Sequence, residues 1–172
     1  MSQRESGFAR KELDRYETPE WVTEALLPHL PTDLSIWEPA AGSGKMARVL
    51  LAKLATDIDA CGGNVDFLGM TKQPGINAII TNPPYSHARQ FIERALWLTA
   101  PDGLVAMLLR TDYDHAAGRQ HLFSGCQQFA KKLVLTKRIV WFDGPNAAPS
   151  FNHAWYIWNW KHSGPPTLAY GP

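Results

Sequence analysis

The stretch that decides the fold is Leu34-Ser-Ile-Trp-Glu38-Pro-Ala-Ala-Gly42-Ser-Gly44. Its first residues are mostly apolar and predict a short buried strand that ends at Glu38, whereas residues 46–53 predict a helix. The two glycines therefore lie in a turn between strand and helix, where a backbone without Cβ atoms can approach a ligand closely. The order strand, turn, helix recurs along the 172 residues, which predicts a single α/β domain.

The pattern of apolar residues predicts the remaining elements. Strands are expected over residues 54–58, 65–68, 77–81, 104–109, 133–142 (one long or two short) and 154–160. Helices are expected to begin at 18–20, to follow residue 84 as far as 98, and to span 118–130. Thr18 is expected to cap the first of these helices and Pro19 to occupy its first position.

The composition is that of an ordinary globular protein, with 45% hydrophobic and 19% charged residues. The longest apolar run, residues 103–109, is far shorter than the roughly 20 residues of a membrane-spanning helix. No signal peptide is evident, and Cys61 and Cys126 show no CxxC spacing, which favours the cytoplasm. Residues 103–140 carry six Lys or Arg against two Asp, which suits either a polyanion or a solvated face.

Three kinds of ligand are considered for the glycine turn. A phosphate-binding P-loop is excluded, because Pro39 and Met46 stand where its glycine and its Ser or Thr should be. A dinucleotide fingerprint is formally satisfied by Gly42-x-Gly44-x-x-Ala47, although a lone match is weak. The third is S-adenosylmethionine, which has no phosphate. A tight turn without a ligand is the alternative to all three.

Acidic residues around the turn favour S-adenosylmethionine. Glu38 would face the cationic end of this cofactor, where a pyrophosphate would be repelled. Asp57, 19 residues later and at the end of the second predicted strand, can accept hydrogen bonds from the ribose hydroxyls, and Asp59 is the alternative. Asp66 could accept from the adenine amino group, while Phe67 packs on the ring.

The most specific motif is Asn82-Pro83-Pro84-Tyr85, which follows a predicted strand and so lies at the carboxyl edge of the sheet. The Asn82 side-chain oxygen and the Pro83 carbonyl can hold both hydrogens of an amino group on a planar base. The two prolines fix the backbone there. Tyr85 offers a flat face, and stacking of an extruded base is worth about 1–3 kcal/mol. The alternative is that residues 82–85 form a rigid turn with an exposed tyrosine and bind no base.

The two motifs together resemble the amino-group DNA methyltransferases, the N6-adenine branch in particular. Arg15-Tyr-Glu-Thr-Pro19 resembles the extra N-terminal cofactor motif of that family. The order of the three motifs is that of the gamma type, and residues 104–111 and 154–160 resemble small phage and prophage members. The resemblance implies a Rossmann-like fold with a mostly parallel seven-stranded sheet and helices on both faces. It makes residues 18–160 the methyltransferase domain, after a flexible arm (1–17) and before a C-terminal tail (161–172).

The resemblance also implies roles for individual residues. The protein would transfer a methyl group from S-adenosylmethionine to adenine N6 in DNA, with Asn82, Pro83, Pro84 and Tyr85 catalytic. Phe142 would sandwich the flipped base opposite Tyr85, with Trp141 or Phe151 as alternatives. The cofactor would be held by Thr18, Glu38, Pro39, Ala40, Gly42, Gly44, Asp57, Asp66, Phe67 and Phe91.

Two departures from the family bear on the substrate. The segment before Asp57 is short, and only twelve residues follow Trp160, where gamma-type enzymes carry a target-recognition domain. Specificity would then be low, or come from loops 111–118 (with Tyr113 and Asp114) and 143–153, from a homodimer, or from a partner subunit.

Other functions use the same motif. The alternatives are methylation of cytosine N4, of an RNA base or of a protein glutamine amide, and a non-catalytic nucleic-acid-binding subunit that keeps the fold. The six histidines form no HxH or HxxxH pair, so no metal is expected. His87, His115, His121 and His153 could line the cleft but are interpreted as exposed or as satisfied within the core.

Overall fold

The computed structural model describes residues 16–60, 66–72, 74–141, 148–149 and 151–172. Seven strands form one sheet in this part of the chain, in the order β2-β1-β3-β4-β6-β5-β7. They are β1 (Leu34–Glu38), β2 (Ala55–Ala60), β3 (Ala78–Thr81), β4 (Leu104–Arg110), β5 (Phe129–Leu135), β6 (His153–Asn159) and β7 (Thr167–Gly171). Only β6 runs antiparallel to its neighbours, β4 and β5, among these strands. The expected mostly parallel seven-stranded sheet is confirmed.

In the same ranges, three α-helices cover the two faces of the sheet. They are α1 (Glu20–Leu26), α2 (Lys45–Lys53) and α3 (Ala88–Thr99). Helices α1 and α2 pack on one face through residues such as Leu26 and Leu50, and α3 packs on the other face through Ile92. Successive residues of the buried strands point to alternate faces of the sheet. Ile80 therefore lies in the core beneath α1 and α2, called the first core, and Ile79 lies in the core beneath α3, called the second core.

The sheet brings the two sequence motifs together. The chain runs from β1 outward to β2 and then crosses back to β3 on the other side of β1. The strand order thus reverses between β1 and β3, and open α/β sheets bind ligands in the crevice at such a point. Glu38 ends β1 and Asn82 follows β3, so both lie at this carboxyl edge.

Several predicted elements differ from the structure. Where a strand was expected over residues 65–68, the described residues form a 3-10 turn, Phe67–Gly69. Phe67 is buried there against the Trp37 ring. The helix expected over 118–130 is a 3-10 segment, Ala117–Leu122, followed by a turn, and β5 already begins at Phe129. The apolar residues there are spaced like a helical face, but Phe123 contacts the rings of Phe129, Tyr156 and Trp158 instead.

The two ends of the described chain also differ from expectation. Pro19 is the N-cap of α1 rather than its first helical residue, and no side chain caps the helix. Residues 161–172, interpreted as a tail, contain β7, which pairs in parallel with β5. No helix in the described ranges is both long and apolar enough to cross a membrane.

Candidate functional site

The glycine turn leaves open space above its backbone. Gly42 and Gly44 have φ angles of +57° and +78°, in the left-handed region that only glycine adopts readily. A Cβ atom on Gly42 would meet nothing within 4 Å. The Gly44 amide donates to the Ala41 carbonyl at 2.7 Å and closes the turn, and Gly44 is the N-cap of α2. The turn therefore presents backbone to the crevice and no side chain at Gly42.

Glu38 lies beneath this turn as a buried carboxyl group. It is 2% exposed, and its Oε2 has no hydrogen-bond partner in the described part of the chain. Loss of solvation raises the pKa of Glu38 to about 7, and a hydrogen bond with the Ala47 backbone opposes this shift. A buried carboxyl group with an unpaired oxygen is costly, so a polar or cationic ligand group would be a favourable neighbour.

The acidic residues of β2 lie beside β1. Strand β2 continues to Ala60, so Asp57 is in mid-strand, opposite Ser35, and not at the strand end as predicted. Asp59 lies opposite Trp37 and is nearer to the carboxyl edge. The position of Asp59 is the better one for a ligand held at Glu38.

Two predicted cofactor aromatics meet in the second core. Phe67 and Phe91 are buried, and their ring centroids are 4.8 Å apart. The Asp66 Oδ1 accepts from the Leu68 amide at 3.2 Å and so caps the 3-10 turn. Asp66 itself remains exposed. Among the other predicted contacts, Thr18 and Pro39 are buried and Ala40 packs on the second core.

The Asn82 side chain is held in one orientation. Its Nδ2 donates to the Tyr16 carbonyl at 3.2 Å, whereas its Oδ1 is buried and has no partner within the described ranges. Pro83 is buried, and Pro84 leads into the 3-10 turn Tyr85–His87. The amide oxygen is thus left as a hydrogen-bond acceptor next to a rigid backbone turn.

Aromatic rings surround Tyr85. Its ring is stacked with Tyr16 (centroids 6.4 Å apart, planes at 18°) and with His153 (6.0 Å, 28°). Trp141 contacts Tyr16 at 5.4 Å and meets His153 edge-on at 5.3 Å. These four residues, Tyr16, Tyr85, Trp141 and His153, are called the aromatic cluster below. The cluster adjoins the Asn82 motif, because the Tyr16 carbonyl accepts from the Asn82 amide and Tyr85 follows Asn82 by three residues.

The partner predicted for Tyr85 in base stacking was Phe142, which lies outside the described residues. Of the two alternatives, Trp141 belongs to the aromatic cluster, whereas Phe151 lies under the Arg110 guanidinium at 4.1 Å. Tyr16 and His153 were not predicted as functional. Tyr16 stood within the N-terminal motif, which was a signal, but nothing in the sequence distinguished His153 from the other histidines.

The loop after β4 is tied to the body of the protein. The Asp114 carboxylate accepts from Lys132 Nζ at 2.8 and 2.9 Å and lies 3.2 Å from the Tyr156 hydroxyl. Tyr113 packs against Phe123 and under the Arg119 guanidinium. No group of three or more potential metal ligands occurs among the residues for which the structure gives positions.

Comparison with known proteins identifies the fold. No protein-family model matches the chain, and no curated protein matches its sequence. A proposed RNA methyltransferase from Pyrococcus horikoshii is similar in structure, with a TM-score of 0.65 and 14% identity over 91% of this chain and 92% of that one. A proposed class I S-adenosylmethionine-dependent methyltransferase from Listeria monocytogenes gives 0.63 and 14% over 90% of this chain.

The 23S rRNA methyltransferase ErmE is similar too, with a TM-score of 0.57 and 14% identity over 88% of this chain and 71% of that one. This chain spans 65% of the length of the Listeria protein and nearly all of the Pyrococcus one. At 14% identity, these similarities concern the fold. The chain has the Rossmann-like fold of the class I methyltransferases.

Proposed function

We propose that this protein is an S-adenosylmethionine-dependent methyltransferase whose substrate is the N6 amino group of adenine in DNA. The observation that carries the proposal is the orientation of Asn82. Its amide nitrogen is occupied by the Tyr16 carbonyl, so its buried, unpaired oxygen is the atom that can accept a hydrogen from an amino group.

The residues of the glycine turn fit S-adenosylmethionine. The unpaired Glu38 oxygen and the open space over Gly42 suit a ligand with cationic and hydroxyl groups and no phosphate. Asp59 or Asp57 would hold the ribose, and Asp66, Phe67 and Phe91 would border the adenine. When bound, S-adenosylmethionine supplies an electrophilic methyl group.

The chain's own residues would position the substrate. Asn82 Oδ1 and the Pro83 carbonyl hold the two N–H bonds of the target amino group, which aims the nitrogen lone pair away from both oxygens. Tyr85 stacks on the base and offsets part of the few kcal/mol needed to extrude it from a duplex. Orientation of this kind accounts for much of the rate acceleration in enzymes that bring two reactants together.

A second candidate substrate is an amino group of RNA. It is favoured by the structural similarity to ErmE and to the Pyrococcus protein, both described as RNA methyltransferases. The Asn82 geometry serves adenine equally well in either nucleic acid. DNA is preferred here because the order of the three sequence motifs resembles the gamma-type DNA enzymes.

The test is nucleoside mass spectrometry after incubation of the protein and S-adenosylmethionine with unmethylated genomic DNA and, separately, with unmethylated RNA. We expect N6-methyladenine in the DNA. Asn82→Ala should lower its formation at least 100-fold while cofactor affinity, measured by calorimetry, stays within a few-fold. Ser86→Ala, an exposed change one turn away, is the matched control and should remain active.

Other outcomes would change the proposal. Methylation of RNA alone would keep the mechanism and replace the substrate. Full activity of Asn82→Ala would refute the mechanism. A protein that fails to bind S-adenosylmethionine would refute the methyltransferase function altogether.

A further inference from the structure

His153 is a buried histidine whose ring nitrogens lack a well-formed hydrogen bond among the described residues. It begins β6 and is 1% exposed. Neither Nδ1 nor Nε2 makes a hydrogen bond of acceptable geometry to any residue that the structure describes. Burial lowers its pKa to about 4, partly offset by the nearby Phe151 backbone, and the Arg110 charge lowers it further. The ring is therefore neutral at pH 7, with one donor nitrogen and one acceptor nitrogen.

If the only role of residue 153 were packing, an apolar ring would stabilise the folded state more than histidine does. The neighbours of His153 in the cluster are the Tyr85 and Trp141 rings, against which a phenylalanine would pack as well. A buried polar atom that lacks a partner destabilises the folded state. Buried groups of this kind in native proteins call for an explanation, such as a role in binding.

The position of His153 indicates which ligand would supply the missing partner. Its ring is stacked on Tyr85, the residue proposed to stack on the target base, at 6.0 Å. Tyr85 also contacts Tyr16, whose carbonyl orients the Asn82 amide. Asn82 and His153, each with a buried polar atom that lacks a partner among the described residues, are thus both in contact with members of the aromatic cluster.

We propose that His153 is a base-contacting residue, whose donor ring nitrogen hydrogen-bonds an acceptor nitrogen of the target base beside its amino group. The inference rests on the proposed function and specifies the substrate of the same site. Asn82 would recognise the amino group, and His153 the unprotonated ring nitrogen next to it. Adenine and cytosine carry this pair of groups on the Watson–Crick edge, whereas thymine has no amino group and guanine has an N–H beside its amino group on that edge.

The experiment measures binding without turnover. Fluorescence anisotropy, with saturating S-adenosylhomocysteine, compares single-stranded oligo-dA with oligo-dT of equal length, so that phosphate contacts cancel in the ratio of affinities. We expect the unchanged protein to prefer oligo-dA at least fivefold, as one specific base contact would provide. His153→Phe keeps an aromatic ring and should lower that ratio about threefold or more, leaving the part of the preference that comes from Asn82. His153→Gln keeps a donor and an acceptor and should lower the ratio less.

Stability gives a second readout. His153→Phe should raise the melting temperature by about 3 °C, because two unpaired polar atoms are removed from an apolar site. The control is His121→Phe, an exposed change that should leave the affinity ratio unaltered and should not raise the melting temperature, because it removes a contact with Glu93.

Each remaining outcome overturns a stated claim. If His153→Phe keeps the full preference of the unchanged protein for oligo-dA, or if both His153 variants fail to fold, His153 is a structural residue and only this inference fails. If the unchanged protein binds S-adenosylhomocysteine but neither oligonucleotide, the proposed nucleic-acid substrate fails together with it.

Discussion

Two groups of polar side chains, one partly buried and the other largely buried, lie at the carboxyl edge of the sheet, and they differ in how their hydrogen bonds are satisfied. In the first, Lys132 Nζ donates to both Asp114 oxygens and to the Thr111 carbonyl at 2.8–2.9 Å. The Tyr156 hydroxyl lies 3.0–3.2 Å from Thr111, Arg110 and Asp114 oxygens. Burial and the Asp114 charge raise the pKa of Tyr156 far above its usual range, so it stays neutral.

The second group consists of Glu38, Asn82 and His153, each with at least one buried polar atom that lacks a partner among the described residues. A protein can pair buried polar groups at this edge, as the first group does. In the proposed site a ligand, rather than the protein, would complete the hydrogen bonds of these three side chains. The satisfied group holds the loop after β4 in place, and the unsatisfied group belongs to the proposed site.

The largest expected effect concerns the charge of Glu38. Its pKa of about 7 lies above the usual 4.5, so the folded protein binds more protons than the unfolded chain between these values, and stability falls as the pH rises. From pH 4.5 to 8 the advantage of Glu38→Gln over the unchanged protein should grow by about 3 kcal/mol, from 1.36 kcal/mol per pKa unit. Urea denaturation across this range measures it, and parallel stability profiles would contradict it.

His153 should show the opposite sign. Its folded pKa of about 4 lies below the usual 6.5, so the unchanged protein gains stability as the pH rises between these values. His153→Phe should lack this gain. The same urea series therefore distinguishes the contributions of Glu38 and His153 to stability. The Glu38 variant removes a titration that lowers stability as the pH rises, and the His153 variant removes one that raises it.

A smaller effect is expected in the satisfied group. Lys132→Met removes the cation from the Asp114 pair and leaves a carboxylate with fewer partners. Breaking a buried pair costs about 3–5 kcal/mol, but these side chains are about one-fifth exposed, so about 2 kcal/mol is expected. Chemical denaturation should show this loss, with activity per folded molecule retained. Lys161→Met, an exposed change, is the control. Lost activity at unchanged stability would move Lys132 into the site.

The smallest effect concerns the glycine turn. Gly42→Ala meets no steric neighbour but must adopt a φ of +57°, which costs about 1 kcal/mol. Gly118 also has open space around it, without a positive φ, so Gly118→Ala should cost nothing. Thermal denaturation of both variants tests the difference. Equal losses would show that backbone conformation at Gly42 does not matter.

The sequence predicts the central strands well because their environment is uniform. β1, β3 and β4 are buried on both faces and appear as short apolar runs. β7 was missed because Leu168 and Tyr170 are exposed and prolines precede the strand. The helix predicted over 118–130 failed because its apolar residues pack in an aromatic group formed with β6, a contact between distant parts of the chain.

The site was predictable to the extent that it is local. The glycine turn and the Asn82 motif each lie within a few residues, and strand order alone places them at one edge. The hydrogen bond that orients Asn82 joins residues 66 positions apart. The surroundings of the His153 ring are formed by Tyr85 and Trp141, which lie in two other segments of the chain. Periodicity and spacing contain no information about such contacts.

The position of β6 in the sheet has a consequence for synthesis on the ribosome. β4, with six of its seven residues buried, pairs with a strand made much later: Arg110 meets His153 43 residues on, and Leu104 meets Asn159 55 residues on. At about 5–20 residues per second, a finished β4 waits roughly 2–9 s for its partner. Until then the nascent chain exposes an apolar strand edge. Helix α1 also lacks one of its native contacts until β6 is made, because Trp155 donates to the Val22 carbonyl. A ribosome stalled before β6 would therefore hold a chain that chaperones should bind.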